Sequence, residues 1–102
     1  MLLDPNIIYF THSKIRERFS GCGKTIEETF NELKSKKIKI EEIPKIKVLF
    51  DGEKYYSENN RRLYLFKKCK ENGLLVMIDV VIKNIKNPQK NIYSLNAKIA
   101  YK

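Results

Sequence analysis

Residues 46–73 constrain the fold more than any other stretch. Ile46-Lys47-Val48-Leu49-Phe50 reads as a strand, and Asp51-Gly52 is a strong turn signal. Lys54-Tyr55-Tyr56-Ser57 continues as a second strand, and Asn59-Asn60 then opens a helical pattern running from about Asn60 to Asn72. Leu63, Phe66 and Cys69 form the inner stripe of that helix, and Gly73 supplies its C-terminal stop. A hairpin feeding directly into an amphipathic helix points to an α+β fold.

The flanking segments extend this unit. Ile7-Ile8-Tyr9-Phe10 reads as a short strand, and Thr11-His12-Ser13 as the cap of a brief helical turn through Lys14-Ile15-Arg16. Phe19 to Lys24 is a glycine-punctuated loop. Thr25-Ile26-Glu27-Glu28 has the form of a capping box. Ile26, Phe30 and Leu33 mark one face of the helix that follows, which is expected to end near Lys37. Ile38, Ile40, Ile43 and Pro44 read as a connector, and Leu74 to Ile82 as the most buried strand. The expected architecture is a small mixed β-sheet with two main helices, over one domain at 1–83. A basic, Asn- and Lys-rich extension at 84–102 is expected to form an edge strand or a short helix.

Charge narrows the choice of partners. Lys and Arg number 21 against 12 for Asp and Glu, a net charge of +9, which favours polyanions. The chain is also rich in Asn and Ile, a bias that suits an AT-rich genome and raises lysine without functional demand. The arginines are more selective: there are four, in the close pairs Arg16/Arg18 and Arg61/Arg62. No apolar run approaches a membrane span, and the first residues lack the pattern of a secretory signal, so an intracellular location, cytoplasmic or nuclear, is expected. Cys22 and Cys69 form no CxxC and there is one His, which argues against a zinc site.

The candidate binding site is Asn59-Asn60-Arg61-Arg62. Backbone N–H groups in the first turn of a helix lack intrahelical partners, and the helix dipole favours an anion there. Two guanidinium groups on that turn add fixed charge and donors that match phosphate oxygens. The plainer alternative is a solvated helix start with Asn as N-cap. Gly21-Cys22-Gly23-Lys24-Thr25 ends like a P-loop, but position 18 is Arg where the motif needs glycine, so a P-loop ATPase is rejected. A glycine-rich loop with Lys24 at a helix start is still able to hold an anion. Cys22, near that helix and Lys24, is a candidate thiolate. His12 and Glu58 are candidate bases. Cys69, on the apolar stripe, reads as core.

The order of these elements resembles the ParB/sulfiredoxin superfamily over roughly residues 6–83. ParB-like members carry an acidic-Arg-Arg motif at the corresponding helix start, to which Asn60-Arg61-Arg62 is similar. Sulfiredoxins carry Gly-Gly-Cys-His-Arg there. On this chain the nucleophile position falls on Asn60, the His on Arg61 and the Arg on Arg62. The resemblance implies phosphate contacts from that turn, with Lys14 and Arg16 as the basic element across the cleft. Asn60 is no nucleophile, which excludes ordinary sulfiredoxin chemistry. The superfamily includes nucleotide-switched DNA-partitioning proteins, sulfinic-acid reductases and free-serine kinases.

Three functions follow as expectations. The first is a phosphate-binding module for a nucleotide or nucleic acid. The second is a phosphotransferase or nucleotide hydrolase using ATP or CTP with Mg²⁺. The third is a nucleic-acid binder using the whole basic surface, with tyrosines stacking on bases.

Overall fold

A computed structural model describes residues 1–11, 14–16, 24–84 and 98–100. Its described strands are β1 (Leu2–Leu3), β2 (Ile8–Tyr9), β3 (Lys14–Arg16), β4 (Ile46–Phe50), β5 (Tyr55–Ser57), β6 (Ile78–Asn84) and β7 (Lys98–Ala100). The helices are α1 (Ile26–Lys34) and α2 (Asn60–Glu71). Five strands form a mixed sheet in the order β1-β6-β4-β5-β2, while β3 and β7 pair in parallel as a separate ribbon. The α+β expectation holds.

The sheet is curled, and chain length explains why. β1 and β2 lie at opposite edges, yet only Asp4 to Ile7 join them. Four interstrand gaps of a flat sheet span about 19 Å. Five extended residue steps reach about 17 Å at most, and a 3-10 turn advances only about 2 Å per residue. Pro5–Ile7 is such a turn, started by Pro5 and capped by Asp4, whose carboxylate accepts from the Asn6 N–H at 2.8 Å. The edges must therefore approach each other, and the 3-10 turn packs on α2.

Both helices contribute to a core built on one sheet face. Ile8, Ile46, Val48, Ile78 and Val80 pack with Ile26, Phe30 and Leu33 of α1 and with Leu63, Leu65, Phe66 and Cys69 of α2. Thr25 caps α1, its hydroxyl accepting from the Glu28 N–H at 3.0 Å. Gly52, at φ +100°, makes the turn between β4 and β5. Asp51 completes that turn by accepting from the Glu53 and Lys54 N–H groups.

Four expectations need correction. Residues 14–16 are a strand, not a helical turn, because their backbone pairs with Lys98–Ala100. The first strand begins at Ile8, since Pro5 starts a 3-10 turn through Ile7. Helix α1 stops at Lys34, three residues early; Ser35 caps it and Lys36 turns to φ 65°, which ends the helix. The stretch from Leu74 is not a uniformly buried strand: β6 starts at Ile78 and alternates, with Val76 72% and Val81 50% exposed. Among the described residues, helices cover one face of this sheet, and Val81 of β6 lies on the other. The extension does contribute a strand, β7.

Candidate functional site

The start of α2 is locked before any ligand is considered. Asn59 is the N-cap, its side-chain oxygen accepting from the Arg62 N–H at 3.1 Å. Its own N–H donates to the Ser57 hydroxyl at 3.0 Å, and Ser57 is fully buried. The Asn60 side chain turns the other way. Its Oδ1 accepts from the Thr11 N–H at 2.9 Å and its Nδ2 donates to Thr11 Oγ1 at 2.8 Å. Thr11 Oγ1 donates in turn to the Ser57 carbonyl at 3.1 Å. The two asparagines therefore fasten the helix to the end of β5 and to the residue after Phe10. Both were expected to touch phosphate; both side chains are engaged in the scaffold.

β3 also meets α2 across a long stretch of sequence. Thr11 is held at the first turn of α2, and Lys14 is three residues further on, within about 11 Å of Thr11 by chain length. β3 packs on α2, with Ile15 buried between them at 3% exposure. Lys14 and Arg16 flank Ile15 in the sequence of that strand.

Arg62 differs from the lysines of α2. Lys68 pairs with Glu27 and lies 4.8 Å from the centre of the Phe30 ring. Lys70 pairs with Asp4. Lys67 sits 5.1 Å over the Phe10 ring, and burial lowers its pKa to about 8. Arg61 and Arg62 are both half-buried. Arg62 occupies the N-terminal end of the stripe that continues through Leu65, Phe66 and Cys69, at the i, i+3, i+4, i+7 spacing of one helix face. Among the described residues, no hydrogen bond or ion pair engages its guanidinium. A half-buried guanidinium at the positive end of a helix, with no described carboxylate against it, has donors able to meet an anion.

The remaining candidates separate. Lys24 pairs with Glu32 of α1 at 2.7 Å. The first turn of α1 meets α2 at Lys68, about 12 Å along the axis from Asn60 by helical rise. Glu58 is exposed, and its N–H donates to the Lys47 carbonyl at 2.9 Å, extending the β4–β5 ladder. His12 and Cys22 lie outside the described residues. Cys69 is a buried free thiol, and burial pushes its pKa up to about 11, the opposite of an activated nucleophile. Among the described residues, no three His, Cys, Asp or Glu side chains cluster as a metal site, and no helix is long and apolar enough to cross a membrane.

Two features escaped sequence reasoning. Leu65 is fully buried although it falls outside the stripe drawn from the sequence, because α2 is enclosed by α1, β3 and the 3-10 turn as well as the sheet. The Thr11–Asn60 pair joins residues 49 positions apart, which no local pattern encodes. No protein-family model, curated protein or solved structure matches the chain.

Proposed function

We propose that this domain binds a phosphate-bearing ligand, a nucleotide or the backbone of a nucleic acid, at the start of α2. Arg62 is the principal contact. Arg61 and the strand carrying Lys14 and Arg16 supply further positive charge, and Asn59 and Asn60 hold the turn in shape. Binding is by charge-assisted hydrogen bonds at a helix N-terminus, without bond-making. The observation that carries this reading is the half-buried Arg62 guanidinium in the first turn, which has no hydrogen-bond or ion-pair partner among the described residues. Kinship with the ParB/sulfiredoxin superfamily belongs to the same proposal. Its support is the order of elements from β2 to β6 and the Asn60-Arg61-Arg62 run, with the difference that residues 14–16 form a strand.

A thermal-shift series with ATP, CTP and GTP, with and without Mg²⁺, tests the reading, since a ligand that prefers the native state raises its melting temperature. One of these nucleotides should shift the wild type. Arg62→Ala should abolish the shift while its own ligand-free melting temperature stays within a few degrees. An equal shift in Arg62→Ala would overturn the assignment.

A further inference from the structure

The face of the sheet turned away from the helices carries a row of side chains across four strands. Lys83 of β6 is in register with Leu49 of β4, Leu49 with Tyr56 of β5, and Tyr56 with Tyr9 of β2. Paired residues in register share a face, so these four form one rung about 14 Å long, three interstrand gaps. Lys83 is exposed at one end. At the other, the Tyr9 and Tyr56 rings lie 5.9 Å apart, and the ammonium of exposed Lys54 stands 5.3 Å over the Tyr9 ring. Tyr56 is the buried base of this pair, its hydroxyl donating to Asp51 at 2.9 Å; Tyr9 lies over it and is the more accessible ring.

Charge on this face favours an anion. Lys47 is exposed on the neighbouring rung, in register with exposed Val81. Three acids border this surface among the described residues. Asp79 is held by Lys45 at 2.8 Å, Glu58 follows Ser57 beside Lys47, and Asp51 accepts from the Tyr56 hydroxyl and from the Glu53 and Lys54 N–H groups. The ammonium groups of Lys54 and Lys83, at the two ends of the rung, form no ion pair with any of them. Cations bracket a partly exposed aromatic and aliphatic strip on a chain of net charge +9.

We infer that this outer face binds single-stranded nucleic acid, independently of the α2 site. A base stacks on Tyr9 where the Lys54 ammonium now stands. Lys54 moves to a flanking phosphate, Lys83 takes another, and Leu49 with Val81 gives an apolar floor. Stacking on a ring with lysines along the track is the chemistry of sequence-tolerant single-strand binding. Duplex DNA keeps its bases stacked inside and offers no base to Tyr9. An acidic protein segment would use the lysines but not the ring.

Fluorescence anisotropy with a labelled 12-nucleotide oligo-dT, its duplex with oligo-dA, and a poly-glutamate peptide of similar charge tests this. The wild type should prefer the single strand to both. Lys54→Glu with Lys83→Glu, both at exposed positions, should weaken binding at least tenfold and flatten the salt dependence by about 1.4, about 0.7 per lost phosphate contact. Tyr9→Leu should weaken it on the order of tenfold, and Tyr9→Phe should restore it. Tyr9→Leu should weaken oligo-dT binding by a similar factor in the wild type and in an Arg62→Ala background, so failure of one site is separable from failure of the other. Equal affinity for duplex or poly-glutamate, an unchanged Lys54/Lys83 variant, or loss of the Tyr9→Leu effect in the Arg62→Ala background would each overturn the inference.

Discussion

Asn60 shows how one side chain acquires a role its neighbours in sequence do not announce. In the linear chain it stands beside two arginines and invites assignment to their ligand. In the folded chain both ends of its amide are spent on Thr11. Asn60→Ala should leave the Thr11 N–H without its acceptor in a half-buried setting, at a cost of about 1–3 kcal/mol, measurable as a lower urea midpoint. Asn60→Asp keeps that acceptor and should retain most of the stability. It also sets a carboxylate beside Arg61 and Arg62, so phosphate binding should fall while folding survives. Full nucleotide binding in Asn60→Asp would place the ligand away from this turn.

At the scale of the element, the helix signals were legible where they are local. Thr25 and Asn59 cap the helices as their side chains suggest, and Gly73 ends α2 at φ +73°. The end of α1 was misread because Lys36 and Lys37 suit a helix terminus by charge, while nothing in that run announces a left-handed residue. Lys36 takes φ 65° at the cost of a Cβ clash that glycine avoids. Lys36→Gly should therefore stabilise the protein by a few tenths to about 1 kcal/mol, seen as a higher melting temperature, in contrast to glycine at most exposed positions. The strand at 14–16 was misread for a related reason. Its hydrogen-bond partner lies in residues 98–100, and three residues are too short to show a period.

Across the whole molecule, surface carboxylates hold ion pairs and a turn, and this sets the response to acid. Lys45 holds the Asp79 carboxyl down to about 2, aided by the terminal ammonium. Lys70 lowers the pKa of Asp4, and the Lys54 N–H that of Asp51. A group whose folded pKa lies below its unfolded value stabilises the fold above the unfolded pKa, about 4 for Asp. That contribution is lost as pH falls through the folded value. The melting temperature should stay level from pH 7 to about 4 and fall between about 4 and 2. Asp79→Asn should flatten the lower part of this limb, and an identical acid limb in the variant would remove Asp79 from the account.

The hairpin, both helices, the apolar stripe through Leu63, Phe66 and Cys69, and the arginine pair could be read from residue order, because each depends on neighbours within a few positions. The curl of the sheet, the β3–β7 pairing, the commitment of Asn60 to Thr11 and the lack of a described carboxylate against Arg62 could not. Each depends on which distant segments meet, and that follows from burying one shared core under a connection too short to let the sheet lie flat.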